Sequence, residues 1–75
     1  MHARVAAKLV RTAGNFKSKV ILEANGQEVN AKSILGILTL SCHYGSYITI
    51  HADGQDAEEA IIAFEKLFAE KFGED

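Results

Sequence analysis

The sequence contains no proline, no tryptophan and a single cysteine, Cys42. A lone cysteine cannot form a disulfide within the chain, which fits a reducing compartment and predicts a cytoplasmic protein. Long apolar runs are also lacking, so no stretch approaches the length of a membrane span, and no signal peptide is visible. We therefore expect neither secretion nor membrane insertion.

A strong charge of one sign is lacking too. The formal net charge is −2 over 75 residues, which excludes the polybasic field that nucleic acid or anionic lipid would require. The composition, 48% apolar and 24% charged, is that of a folded globule and not of a disordered tail. We expect one small domain over residues 1–75, too small for a cleft that excludes water on all sides, and therefore suited to surface chemistry or protein binding.

The first pattern present is a helix over residues 3–13. Its apolar residues recur at helical spacing, at Val5, Ala6, Leu9, Val10 and Ala13. The dipeptide Gly14-Asn15 predicts the helix end, because either residue tolerates the left-handed conformation common there.

A hairpin is predicted next. Residues 19–24 read as a strand, and Asn25-Gly26 favours a type I′ turn that returns residues 27–31 as the antiparallel partner. Ser33 then precedes an apolar run as a natural helix N-cap. Periodicity alone does not decide between helix and strand for residues 34–40, although a short helix is the preferred interpretation.

The last third predicts a strand and a long helix. Residues 46–52 alternate, with Ile48 and Ile50 on one face, and a turn follows them. Asp56 is predicted to cap the last helix, which Gly73 ends. We expect an α+β fold in which three helices pack on one face of an antiparallel sheet.

The start of the first helix suits phosphate chemistry. His2 carries an imidazole, whose ordinary pKa of about 6.5 leaves it neutral and nucleophilic near pH 7. The N–H groups of Ala3, Arg4, Val5 and Ala6 are unpaired by the helix and favour an attached phosphate, to which the Arg4 side chain adds charge-assisted hydrogen bonds. Read from spacing alone, His2 is equally well a terminal residue without a role.

Two motifs resemble the HPr family. Residues 2–7, His-Ala-Arg-Val-Ala-Ala, are similar to the family's His-Ala-Arg-Pro-Ala active-site stretch, and residues 29–36, Val-Asn-Ala-Lys-Ser-Ile-Leu-Gly, are similar to its regulatory-serine stretch. Their separation and the order of elements match as well. The resemblance covers nearly the whole chain.

The resemblance implies a phosphocarrier of the sugar phosphotransferase system. His2 would accept a phosphoryl group from phospho-enzyme I and pass it to enzyme II proteins, as a stoichiometric carrier without turnover of its own. Ser33 would be the target of an HPr serine kinase, although a simple N-cap is an equal alternative. The implied fold is an open-faced sandwich, with four strands in the family and three here. No cofactor is expected.

The sequence departs from the family at two places. The strand that precedes the family's histidine is missing, which suggests a truncated chain or a misassigned start codon. We therefore expect self-association along an open strand edge at Ser46–Ala52. Val5 replaces the usual proline, so the first turn should be less restrained.

The run after Ser33 predicts a surface for partners. Its four apolar side chains cannot all enter a core this small, so part of the run should be exposed. Ile34, Leu35 and Leu38 are the candidate docking residues, with the position of Leu38 left open between surface and core. An alternative function is a regulatory module that binds a transcription regulator or metabolic enzyme through Ser33 and residues 34–38.

No metal site is expected. Cys42-His43 has no second ligand pair at useful spacing, and His51 reads as an exposed strand residue.

Overall fold

A three-stranded antiparallel sheet carries the helices on one face. The computed structural model describes residues 3–40 and 47–70. The elements are α1 (Ala3–Gly14), β1 (Lys19–Ala24), β2 (Gln27–Asn30), α2 (Ile34–Thr39), β3 (Thr49–Asp53) and α3 (Ala57–Ala69). Within the described ranges the strand order is β2-β1-β3. The predicted α+β open-faced sandwich is confirmed.

The core lies between the helices and the covered face of the sheet. In the central strand β1, burial alternates because successive side chains point to opposite faces: Val20, Leu22 and Ala24 are buried, whereas Lys19, Ile21 and Glu23 lie on the open face. Phe64 of α3 and Leu9 of α1 are fully buried opposite them. Every helix therefore contributes to the same core, since Ile37 of α2 is also buried.

The end of α1 lies where predicted but forms differently. Neither Gly14 nor Asn15 adopts a positive φ angle. Instead the N–H of Asn15 donates to the Thr12 carbonyl at 3.1 Å and that of Phe16 to the Ala13 carbonyl at 3.2 Å. These tighter bonds satisfy terminal carbonyls without a left-handed residue.

The hairpin turn is confirmed. Asn25 and Gly26 have φ angles of 54° and 78°, as a type I′ turn requires of both central residues. The predicted second strand is one residue too long, because β2 ends at Asn30. The N–H of Ala31 still donates to Val20 at 2.8 Å, but the Asn30 side chain accepts from the Lys32 N–H at 2.8 Å and turns the chain.

A helix, not a strand, follows Ser33. The Ser33 backbone is extended and its hydroxyl accepts from the Gly36 N–H at 3.1 Å, so it caps α2 as predicted. This local hydrogen bond decides between the two structures that periodicity left open.

The third strand begins later than predicted and ends one residue later. β3 covers Thr49–Asp53 because it pairs with β1 from Glu23↔Thr49 to Lys19↔Asp53, and its partner fixes its length. Ser46 lies outside the described residues. The predicted alternation holds, since Ile48 and Ile50 are half-buried between exposed neighbours.

The predicted role of the Asp56 side chain is wrong. Asp56 stands at the N-cap position of α3 but makes no side-chain cap bond. Its carboxylate instead accepts from the N–H groups of Lys17 and Ser18, each at 2.9 Å, and from the Ser18 hydroxyl. The Ser18 hydroxyl, followed by the Lys17 N–H, lowers the Asp56 pKa to about 2. The predicted end of this helix at Gly73 lies outside the described residues.

Candidate functional site

The first turn of α1 combines exposed and anchored residues. Ala3 and Arg4 are exposed, Val5 is half-buried against the core, and Ala6 is fully buried. Packing of Val5 and Ala6 thus fixes the helix axis while its beginning stays accessible. His2, the predicted phosphate acceptor, lies outside the described residues.

The electrostatics of this turn favour an anion. A helix N-terminus carries N–H groups without intrahelical partners and a partial positive charge. The first turn of α1 contains no acidic residue that would offset that charge. Arg4 adds a permanent positive charge with several donors to the same turn. The arrangement can therefore bind a phosphate-like group.

A row of basic residues extends from this turn along α1. Arg4, Lys8 and Arg11 follow one another at spacings of four and three, which places them on the same side of the helix. Five of the eight Lys and Arg residues fall within residues 1–20, and none of the ten Asp and Glu residues does. The whole-chain charge of −2 conceals this asymmetry, which charge counted by segment would have shown. We call Arg4, Lys8 and Arg11 the basic row.

The second helix adds apolar surface next to α1, with which it is in contact. Leu35 is 72% exposed, Ile34 is 40% exposed and Leu38 is 37% exposed, whereas Ile37 is buried. We call Ile34, Leu35 and Leu38 the apolar patch. The sequence left Leu38 open between surface and core, and the structure places its side chain partly at the surface.

Hydrogen bonds hold α2 in place at both ends. At its beginning, the partly exposed Ser33 caps the helix and donates its N–H to the Asn30 carbonyl at 3.0 Å. At its end, the Gln27 side chain donates to the Thr39 carbonyl at 3.1 Å. Ser33 thus has a structural role, and its partial exposure leaves it open to modification.

Among the residues that the structure describes, metal-ligating side chains come together on the sheet and not at the first turn of α1. Cys42 and His43 lie outside the described residues. Within residues 3–40 and 47–70, one set of three metal-ligating side chains comes together, Glu23, Glu28 and His51, on the open face of the sheet. None of the helices in those ranges is long and apolar enough to cross a membrane.

The matching family model and two curated relatives all name HPr. The family model PTS-HPr, described as "PTS HPr component phosphorylation site", matches residues 1–70. The chain is 47% identical over 74 residues to "Phosphocarrier protein HPr" of Cupriavidus necator, covering 99% of this chain and 83% of the relative. The protein of the same name from Xylella fastidiosa is 44% identical over 75 residues, covering 100% and 84%.

Solved structures agree in fold. The HPr dimer from Thermoanaerobacter tengcongensis superposes with a TM-score of 0.90 at 46% identity, covering 99% of this chain and 85% of that one. Crh of Bacillus subtilis, described as a swapped dimer, gives a TM-score of 0.77 at 44% identity, covering 83% of this chain and 71% of that one.

Proposed function

The chain belongs to the HPr family of the phosphotransferase system, and from this premise we propose that His2 accepts a phosphoryl group from phospho-enzyme I and passes it to enzyme II proteins in sugar uptake. The observation that carries the proposal is the first turn of α1, which is accessible, basic and without an acidic residue. A cytoplasmic location belongs to the same proposal.

The chemistry needs little beyond positioning and charge. The imidazole of His2 forms the new bond to phosphorus as the bond between phosphorus and the donor breaks, and onward transfer reverses the roles. Negative charge on the three phosphate oxygens is balanced by the N–H groups of residues 3–6 and by the Arg4 guanidinium. At an exposed helix end, the N–H groups and the Arg4 guanidinium stabilise phosphohistidine only moderately. The phosphoryl group can therefore leave His2 again.

Partners are expected to dock on α1 and α2 together. The basic row would attract acidic surface on a partner, and the apolar patch would bury Leu35, the most exposed of its members, at the centre of the contact. Enzyme I and enzyme II proteins would share this surface in turn, so one small face serves both halves of the transfer.

Phosphorylation by enzyme I and phosphoenolpyruvate tests the proposal. The intact mass should increase by one acid-labile phosphate, and His2→Ala should abolish the increase. His51→Ala is the matched control, because His51 is an exposed imidazole on the open face of the sheet and should not affect labelling. Label that persists in the His2 variant, or is lost from the His51 variant, would show that the acceptor is misassigned.

Ser33 is proposed as a regulatory site within the same surface. A phosphate there keeps acceptor oxygens for the Gly36 N–H, so α2 should stay folded. Its negative charge would lie beside the apolar patch and near α1, where it would oppose an acidic partner. An HPr serine kinase is the enzyme class that would place it.

Aspartate at Ser33 tests this regulation. Ser33→Asp should slow phosphorylation of His2 by enzyme I about tenfold, the effect of roughly 1.4 kcal/mol, while helix content stays unchanged because Asp is also a good N-cap. Ser33→Ala is the control for loss of the cap without added charge. Equal rates for both variants would contradict a charge effect.

Self-association along β3 is a further proposal for the 75-residue chain. Within the described residues β3 is an edge strand, and an apolar groove between it and α3 is lined by Ile48, Ile50, Ile61 and Phe68. Two relatives of known structure are described as dimers.

Thr49→Lys, on the exposed side of β3, should reduce dimer formation in sedimentation experiments, whereas Ile62→Lys on α3 should not. A monomeric wild-type chain at high concentration would rule this out.

The regulatory module considered as an alternative is not favoured. The family model is described by its phosphorylation site, and the two curated relatives compared above are named phosphocarrier proteins.

A further inference from the structure

Three strands place metal-ligating side chains together on the open face of the sheet, away from the helices. Glu23 of β1 lies directly opposite Glu28 of β2, and His51 of β3 lies opposite Ile21, one diagonal step from Glu23. Their ligand atoms all lie within 4.8 Å of one another. The ladder of backbone hydrogen bonds fixes the three Cα positions, so the grouping follows from strand register.

The distances suit a small ion after minor side-chain adjustment. Zinc binds histidine nitrogen and carboxylate oxygen at about 2.0–2.2 Å, so tetrahedral ligand atoms lie about 3.3–3.6 Å apart. The His51 Nε2 and Glu23 Oε1 atoms are 2.8 Å apart, slightly closer than that, and no pair exceeds 4.8 Å. Long, partly exposed Glu side chains can supply the difference by changing rotamer.

The charges of these three side chains also favour a bound cation. Two carboxylates directly opposite each other across antiparallel strands repel. The His51 imidazole is hydrogen-bonded to the Glu23 carboxylate, and the His51 side chain is 52% exposed. A single imidazole brings at most one positive charge to two carboxylates, whereas a divalent ion between them balances both.

We propose that Glu23, Glu28 and His51 form a binding site for a divalent transition-metal ion such as Zn²⁺. An imidazole with two carboxylates is a donor set for zinc and neighbouring first-row ions, because Mg²⁺ and Ca²⁺ prefer oxygen ligands alone. Water would complete the coordination on the exposed side. The site is separate from the first turn of α1 and does not depend on the proposed phosphoryl transfer.

Zinc titration of the full chain tests the site. Calorimetry with ZnCl₂ should show one saturable site per chain, and excess Mg²⁺ should not compete. Zinc binding should weaken at least about tenfold in each of three variants, His51→Ala, Glu23→Gln and Glu28→Gln, because each removes one of three protein ligands. Glu28→Gln is the most informative variant, since it leaves the hydrogen bond between His51 and Glu23 in place.

The other histidines provide the matched controls. His2→Ala and His43→Ala each remove an imidazole that the proposed site does not use, and they should leave zinc affinity unchanged. The proposal is overturned if wild type shows no saturable site, if either control variant loses binding, or if Glu28→Gln binds as wild type does. Circular dichroism of each variant establishes that lost binding is not lost folding.

Discussion

Arg4 carries the side-chain charge that the proposed chemistry uses in the first turn of α1. Its planar guanidinium can donate two parallel hydrogen bonds to phosphate oxygens, which a lysine ammonium cannot match. We expect Arg4→Ala to slow phosphorylation of the chain by enzyme I about tenfold or more, and Arg4→Lys to retain part of the rate. Stopped-flow phosphotransfer measures both.

Arg11 supplies the control for Arg4. It lies two turns further along the same helix and carries the same charge. Arg11→Ala should affect the concentration of enzyme I needed for half-maximal rate more than the maximal rate. If Arg4→Ala, like Arg11→Ala, changes mainly the concentration for half-maximal rate and leaves the maximal rate intact, Arg4 acts in docking alone.

Asp56 shows how a single carboxylate joins distant parts of the chain. It links the beginning of α3 to residues 17 and 18 between α1 and β1 through three accepted hydrogen bonds. Its pKa is lowered to about 2 from the ordinary 3.8. The ionised form is therefore favoured by folding, so its contribution to stability is present above about pH 4 and is lost as pH falls towards 2.

Replacing Asp56 should therefore have a pH-dependent effect. Asp56→Asn should lower the free energy of unfolding at pH 6 more than Glu58→Gln, an exposed carboxylate in the first turn of α3. The deficit relative to wild type should shrink between pH 4 and pH 2 in urea unfolding experiments. A deficit that stays constant over that interval would show that the Asp56 charge does not matter.

At the scale of elements, Gly54 decides whether α3 can follow β3 closely. Its φ angle is 147°, and an added Cβ atom would lie 2.6 Å from the Ser18 hydroxyl oxygen and 2.8 Å from the Ser18 Cα. Gly54→Ala should therefore cost about 1–3 kcal/mol of stability, through strain and through disruption of the contact with Ser18.

Gly36 in α2 is the matched glycine. An added Cβ there would make ordinary contacts, 3.4 Å from the Ser33 hydroxyl and 3.5 Å from the Val29 Cβ. Gly36→Ala should stay within about 1 kcal/mol of wild type, because alanine also favours the helix. Thermal unfolding of both variants measures the contrast, and similar losses for the two would contradict it.

The elements differ in how far the sequence predicts them. The hairpin at Asn25-Gly26 and the cap at Ser33 were predictable because both depend on residues within a few positions of each other. The limits of β3 and the partners of Asp56 were not, since they depend on β1 and on Ser18, which are distant in sequence. Local interactions can be predicted from a sequence, whereas strand register and long-range polar contacts depend on how distant segments pack.

The candidate site follows the same division. The residue types of the first turn of α1, and the expectation that part of the run after Ser33 is exposed, came from the sequence. The sequence does not predict which side chains of that run are exposed, because packing decides it. Ile37 enters the core and Leu35 does not. The grouping of Glu23 with His51 came from register alone.

For the whole molecule, charge is distributed unevenly around a small shared core. Every charged residue of α1 is basic. In contrast, α3 carries Glu58 and Glu59 in its first turn, and the open face of the sheet carries Glu23 and Glu28 besides Lys19. We propose that this distribution directs a partner with acidic surface to the face formed by α1 and α2.

A single-turnover transfer experiment tests the phosphocarrier role most directly. Phospho-enzyme I, free of phosphoenolpyruvate, is mixed with the chain and then with an enzyme II protein, and the intact mass of each is followed in time. One phosphate should appear on the chain at His2 and then pass to the enzyme II protein in equal amount. A chain that takes up no phosphate, holds it elsewhere than on His2, or fails to release it to the acceptor would contradict the proposed role.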